Sequence, residues 1–527
     1  MLNTPLARRG MVTAPHHLAS EAGVRVLREG GDAVEAMVAM AAAIAVVYPH
    51  MTAIGGDAFW LIAEPGREPV AVRACGPSGR KVGPELYRGM AAIPARGPLA
   101  ANTVAGTVGG WGAALEVSRA RGGKLPLSRL MEDAVYWARD GVPATASQAR
   151  FAAEKMAELE DVPGFADVHL ADGKPPVRGR RMRQPALADT LERIGRDGPE
   201  DFYRGALARA IAADLARAGS PVTGEDLAAY RAATVAPLSV ALSNGTAWNH
   251  PPPTQGLASL MILGIFDRLG VREAEGFDHV HGLVEATKRA FLVRDRHCVD
   301  PARGGPDVAA FLAPGALDRE AAKVDRRRAL PWPQAGGHSD TIWMGAIDGT
   351  GLAVSFIQSI YWEFGSGVVL RDTGILWQNR GSSFSLDPAH PNAVGPGLLP
   401  FHTLNPALAR LEDGRTLVYG NMGGEGQPQT QAAVFTRHAV FGRGLQEAIT
   451  APRWLLGRTW GAQSTTLKLE SRFDPALVAA LRDAGHDVEV VGPFVDATGH
   501  AGAVSRHADG TLEGATDPRS DGAAAGF

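Results

Sequence analysis

Residues 338–367 read HSDTIWMGAIDGTGLAVSFIQSIYWEFGSG, and this stretch decides how the chain is understood. Thr341 to Ile347 is apolar and partly β-branched, Asp348 to Gly351 carries turn chemistry, and Leu352 to Ile360 is apolar again, a pattern that predicts a β-hairpin. Thr341 follows a polar, glycine-rich segment and opens the first strand. Cutting the Asp340–Thr341 bond would give Thr341 a free α-amine beside its own hydroxyl. In that arrangement the amine takes the hydroxyl proton and the oxygen becomes a nucleophile with no histidine required. The hydroxyl can make the cut itself: attack on the Asp340 carbonyl gives an ester that water opens, leaving fragments 1–340 and 341–527. An ordinary strand threonine is the plain alternative, and the rest of the chain has to decide between them.

The 527 residues are 45% hydrophobic and 21% charged, an ordinary balance for a globular protein with a large core, and no Ser- or Pro-rich linker divides them. A formal net charge of −3 gives no electrostatic reason to expect nucleic acid or an anionic membrane as partner. Cys75 and Cys298 stand far apart in no metal-type spacing and read as reduced core thiols. Arg8 and Arg9 have no apolar stretch behind them to form a signal-peptide core, and the run from Ala36 to Val47 is too short to span a bilayer, so a cytoplasmic location is expected.

Along the chain, Ser20 to Arg28 has helical periodicity, and Asp32 is placed to cap an Ala-rich helix ending near Val47. Ala58 to Ala63 and Val70 to Cys75 read as strands. Helices are expected at Leu127 to Arg139, Pro185 to Arg196, Leu207 to Arg217, Leu257 to Leu269 and His281 to Val293. The basic run Arg178 to Arg183 reads as a solvated loop. The polar, proline-marked stretch from Asp300 to Gly337 would keep a cleavage site accessible. After the hairpin, strands are expected at Gly374 to Asn379 and Thr416 to Gly420, then a helix from Gln429 to Ala439, and a last pair of strands at Val488 to Val491 and Ala503 to Arg506. Strands on both sides of a helical middle suggest layered α/β structure.

Several segments, taken in order, resemble the γ-glutamyltransferase family across nearly the whole chain: His50 through Gly55-Gly56, Arg73 with Pro77, Ala105 to Trp111, Phe202 to Gly205, Pro251-Pro252-Pro253, Asp340-Thr341, Phe364 to Gly367, Gly423-Gly424, Ala451-Pro452-Arg453 and Asp517 to Gly522. The resemblance implies a four-layer αββα sandwich of the N-terminal nucleophile hydrolase type. It would be made as one chain and cut into a large subunit, 1–340, and a small subunit, 341–527, which stay together as a heterodimer, with further dimerisation left open. It implies Thr341 as nucleophile, Ser359 as a hydroxyl contacting the Thr341 amine, and Gly423 and Gly424 as oxyanion donors, a role that suits glycine because backbone must approach closely. No cofactor or metal is implied. His16, His17 and His500 stand in no metal-type spacing.

Against the family pattern, Arg73 keeps the position that holds a substrate carboxylate. Ser383 stands where the family has the aspartate that holds the substrate ammonium. The family's paired serines are His402-Thr403, its pocket asparagine is Tyr361, and Arg380 adds a second positive charge. The grip on a carboxylate is kept and the grip on an amine is lost. The expected substrate is therefore a small amide bearing a carboxylate. The segments around Trp377 to Gly381, Pro400 to Pro406 and Gly423 to Gln429 resemble the family's oxamate-hydrolysing branch, which splits oxamate into oxalate and ammonia in purine-nitrogen salvage. Two alternatives stay open: a γ-glutamyl hydrolase/transferase or cephalosporin-type acylase using the same threonine, and an uncut, non-catalytic binding relative. Trp343, Trp362 and Trp377 either line the site or belong to the core.

Overall fold

The computed structural model describes residues 3–332, 340–457 and 464–527. The residues just ahead of Asp340, including the expected approach to the cleavage site, lie outside the described residues, as does the Asp340 side chain.

Two seven-stranded antiparallel sheets lie face to face. In the first, the order is Ala523–Gly526, Gly10–Ala14, Asp340–Asp348, Ala353–Tyr361, Asp57–Ala63, Val70–Ala74 and Ala233–Val235. In the second it is Leu6–Ala7, Leu512–Thr516, Ala501–Arg506, Thr416–Asn421, Ala407–Leu411, Gly245–Asn249 and Leu238–Leu242. Both sheets mix strands from either side of Thr341.

Side-chain alternation along the strands produces the layers. On Asp340–Asp348, Ile342, Met344 and Ala346 pack under the helices, whereas Trp343 and Ile347 face the second sheet. On Asp57–Ala63, Ala58, Trp60 and Ile62 point to the helices and Phe59, Leu61 and Ala63 point between the sheets. The outer layer over the first sheet includes His17–Arg28, Ala33–Val47 and Thr107–Ala120; that over the second includes Gly256–Leu269, Phe277–His297 and Gln427–Phe435. The result is the αββα sandwich.

The Ala-rich helix Ala33–Val47 is buried over its whole length, and small side chains let it seat closely on the sheet. Its start is fixed by a capping box between Asp32 and Glu35. The hairpin turn is closed by Asp348, whose Oδ1 accepts from the N–H groups of Thr350 (2.9 Å) and Leu352 (3.2 Å). Asp348 Oδ2 accepts from Ala33 N at 3.1 Å, tying the hairpin to that helix.

Trp343 settles as core. Its indole lies in a slot between the sheets floored by glycines: a Cβ at Gly345 or Gly502 would come within 2.6 or 2.7 Å of the ring, and one at Gly420 closer still. The indole N–H donates to Ser355 Oγ at 3.0 Å.

Three readings of the sequence are corrected. Gly374 to Asn379 is extended but forms no strand: Trp377 N donates to Val368 O and Gln378 N to Gly55 O, single bridges to two separate segments with no continuing ladder. Val488–Val491 and Ala501–Arg506 are both strands, in a separate three-stranded sheet and the second main sheet respectively, but they are not the last: Leu512–Thr516 and Ala523–Gly526 follow. The stretch after Asp300 is not all loop, since it holds the helix Pro314–Ala321. Trp377 joins the core under the helices, while Trp362 is half-buried with the Arg96 guanidinium 5.5 Å from its ring.

Gly420→Ala is expected to force the Trp343 indole out of its slot. Overpacking of this kind typically costs about 1–3 kcal/mol, and a lowered urea midpoint with an unchanged slope would show it.

Candidate active site

Thr341 lies in the first sheet beside a break in strand register, where Asp340 pairs with Tyr361 and Ile342 with Gln358. Its side chain is fully buried, in contrast to the accessible position expected from the polar segment before it. The Thr341 hydroxyl donates to Ser359 Oγ at 3.2 Å, and Ser359 Oγ also accepts from Tyr361 N at 2.9 Å. Tyr361 takes φ +83°, a conformation rare for a non-glycine residue and a form of strain that collects at working sites. Ser359 pairs across the sheet with Asp57, and Phe59 on the same strand pairs with Arg73. By alternation, Thr341, Ser359, Tyr361, Asp57 and Arg73 all belong to the face that meets the second sheet.

Gly423 and Gly424 reach this face from the opposite sheet. Trp343 lies against Gly420 and Gly345 against Val418, so continuing the two strands places Thr341 across from Met422, one residue before the glycines. Gly423 has φ +123°, a value open almost only to glycine, and Gly424 φ +55°, in the left-handed region that favours it. The Gly424 carbonyl is turned back onto Gln255 Nε2 at 2.8 Å, which also donates to Thr403 O at 2.8 Å. Arg294 completes this support, donating to Gln255 Oε1 at 3.2 Å and Glu425 Oε2 at 3.0 Å. Among the described residues, nothing accepts from the N–H of Gly423 or Gly424. A turn with its carbonyl held behind and its N–H groups unclaimed suits a developing oxyanion.

Behind Gly423 sits Gly499, whose Cα is 3.1 Å from where a Gly423 Cβ would be. The Gly499 carbonyl is held by Arg453 at 2.7 Å, and Arg453 is paired with Asp517. Arg519 joins Asp517 (3.1 Å) to Glu470 (2.6 Å), so the Asp517–Arg519 turn is part of a buried ionic network.

The charge in the site is unusual. Arg380 is fully buried, its guanidinium carbon lies 4.0 Å from the Tyr361 ring centroid, and among the described residues none of its three nitrogens has a hydrogen-bond partner. Burial brings its pKa down to about 10. Asp57 is also fully buried. Its Oδ1 accepts from Gly76 N (3.2 Å), Gly106 N (3.2 Å) and Gln378 Nε2 (3.1 Å), while Oδ2 has no hydrogen-bond partner among the described residues. Burial pushes the Asp57 carboxyl up to about 7, against the opposing pull of Arg380. The His402 ring is buried with neither nitrogen hydrogen-bonded among the described residues, and its Nε2 stands 3.7 Å from Asp57 Oδ2. Burial, reinforced by Arg380 and Arg73, holds His402 well below the usual histidine range, so the ring is neutral and the pair is not an ion pair.

Arg73 is half-buried on the same face, and among the described residues no carboxylate makes an ion pair with it. It stands three strands from Thr341, roughly 14 Å along the sheet. Ser383 donates to Phe401 O at 3.2 Å, and the Thr403 side chain is buried. The structure thus gathers Arg380, Tyr361 and His402 with Ser359, and sets Arg73 at greater reach. Sequence reasoning did not single out Asp57, Gln378 or Gln255. A carboxylate opening a fully buried strand was the available signal for Asp57.

One cluster elsewhere has the composition of a metal site. Ligand atoms of His281, Glu285 and His486 lie within 4.8 Å of one another. They are already satisfied: His281 Nδ1 and His486 Nε2 share a hydrogen bond of 2.8 Å, His281 Nε2 meets Asp325 O at 2.8 Å, and the Lys288 ammonium fills the cationic place 2.7 Å from Glu285. Among the described residues no helix is long and apolar enough to cross a membrane.

The family model for gamma-glutamyltranspeptidase matches residues 19–527. The chain is 57% identical to the oxamate amidohydrolase proenzyme of Klebsiella pneumoniae over the full length of both, and 41% identical to the glutathione hydrolase-like YwrD proenzyme of Bacillus subtilis, again over the full length of both. The crystal structure of cephalosporin acylase from Bacillus halodurans superposes with a TM-score of 0.92 at 32% identity, covering 100% of this chain and 97% of that one. The chain belongs to the gamma-glutamyltranspeptidase family, as an amidohydrolase on a four-layer αββα frame.

Proposed function

We propose that the protein cuts itself at Asp340–Thr341 and then hydrolyses a small amide that carries a carboxylate, with oxamate the leading candidate. The observation that carries this reading is the Arg380 guanidinium, fully buried with no acceptor among the described residues and stacked on Tyr361, whose own N–H donates to Ser359 Oγ beside Thr341. A buried charge without partners is costly, and a substrate carboxylate would remove that cost. The same guanidinium repels a substrate ammonium, which weighs against a γ-glutamyl donor. The relation to the Klebsiella pneumoniae enzyme supports oxamate in particular.

In the reaction, the Thr341 α-amine takes the hydroxyl proton as Oγ1 adds to the amide carbon, and Gly423 and Gly424 N–H groups receive the oxyanion. The C–N bond breaks, the amine passes its proton to the departing nitrogen as ammonia, and an acyl ester remains on Thr341. Water, deprotonated by the same amine, opens the ester to oxalate and restores the hydroxyl. Arg380 holds the carboxylate of so short a substrate. Arg73, further along the sheet, suits a longer one. Tyr361, Ser383, His402 and Thr403 shape the pocket. The fit to cephalosporin acylase favours a second reading, a bulkier amide cleaved by the same threonine.

Intact mass under denaturing conditions is expected to show two fragments divided at 340/341, with ammonia released on adding oxamate; Thr341→Ala should stay a single chain. Fragments that release nothing from oxamate yet cleave a γ-glutamyl anilide or a cephalosporin side chain would favour the second reading. A single inert chain would rule out both. In the processed enzyme Arg380→Met should raise KM for oxamate on the order of 100-fold, the scale of a lost charge-assisted pair, with kcat changed far less.

A further inference from the structure

We propose that Asp57 is the built-in counter-ion of the carboxylate pocket, carrying a negative charge near Arg380 in the empty site and taking up one proton when a substrate carboxylate arrives. The proposal rests on the reading of the pocket as a carboxylate site and assigns the residue that sets its charge selectivity.

The geometry separates Asp57 from an ordinary ion-pair partner. Three donors from different parts of the chain consume Oδ1 and fix the carboxyl group, leaving Oδ2 open. Arg380 feels the Asp57 charge, yet the two make no ion pair within 4.0 Å, and every nitrogen of the guanidinium stays available. Asp57 therefore offsets the Arg380 charge without occupying its fork. An incoming anion places two carboxylates around one guanidinium in a buried space, where like charges close together cannot both remain ionised cheaply. A carboxylic acid next to a carbonyl is strong, whereas burial has already brought Asp57 up to about 7, so the proton settles on Asp57.

The balance is simple. Ionised Asp57, the Arg380 cation, a substrate carboxylate and one proton from solvent become neutral Asp57 with the substrate carboxylate on Arg380; no covalent bond to carbon changes. The other side chains facing Asp57 do not compete for this proton near neutrality, and the Asp57→Asn variant separates Asp57 from the Thr341 α-amine that cleavage would free. Arg380 stays charged below its value of about 10, and His402 stays neutral. The Cys75 thiol and the Tyr203 and Tyr230 hydroxyls are all pushed up by burial and keep their protons. Arg73 contributes positive charge from the neighbouring strand.

Linkage gives the sign. Below about pH 7 Asp57 is already protonated and anion binding needs no proton; above it, binding must draw one from solvent and weakens by up to tenfold per pH unit. Titration calorimetry of oxalate into the purified protein at pH 8, in buffers of different ionisation enthalpy, should show uptake approaching one proton. Asp57→Asn, which keeps an oxygen for the three Oδ1 donors, should abolish the uptake, flatten affinity between pH 6.5 and 8.5, and bind oxalate more tightly than wild type at pH 8.5. Damage to the pocket cannot produce that gain. Oxalate binding without proton uptake, an Asp57→Asn protein weaker than wild type at every pH, or no oxalate binding at all would overturn the proposal. Proton-coupled oxalate binding by a protein that leaves oxamate intact would sustain it while refuting the proposed reaction.

Discussion

The contact between the two sheets is the constraint from which the site follows. One indole, Trp343, occupies the space where three glycines remove side chains from both sheets. That contact sets how closely the faces approach and which residues stand opposite one another. Two residues before Trp343 is Thr341, and shortly after Gly420 comes the Gly423-Gly424 turn. Thr341 and the unclaimed N–H groups are brought to one face by packing in the core, not by a loop that must find its place. A dispersion contact of this kind is stiff because protein interiors are as densely packed as crystals.

Within this rigid frame a few polar groups stay incomplete. Arg380, Asp57 Oδ2 and the His402 ring are buried with open hydrogen-bonding capacity. Each costs free energy in the empty protein. The fold tolerates them because three separate apolar layers, one between the sheets and one under each helical layer, surround them. Local instability placed at the centre of a large core is a common way to store selectivity for a ligand.

Legibility in the sequence followed the range of the interactions involved. The hairpin around Asp348 and the Asp32 cap were readable because their partners lie within four residues. The resemblance carried Thr341, Ser359 and the glycine pair, and the sheet arrangement sets all of them on or toward one face. Asp57 follows two glycines in the sequence, and the donors that make it a buried, fixed carboxylate come from distant Gly76, Gly106 and Gln378. Gln255 was hidden in a proline-marked break for the same reason: its partners, Thr403 and Gly424, are about 150 residues or more away. Gly374 to Asn379 looked like a strand because its composition suits one, but strand formation depends on a neighbour that continues the ladder, and composition carries no information about that neighbour.

The interleaving of strands has a consequence for a chain cut ahead of Thr341. Gly10–Ala14 is held between Ala523–Gly526 on one side and Asp340–Asp348 on the other, and in the second sheet the strands Leu6–Ala7 and Gly245–Asn249 flank a block drawn from the later half. Two pieces woven in this way have no interface that can simply be peeled apart. Separating them would mean breaking hydrogen-bond ladders in both sheets and exposing all three apolar layers, which amounts to unfolding. Their partnership would therefore be insensitive to dilution, and each piece alone would lack the neighbours that make it a sheet.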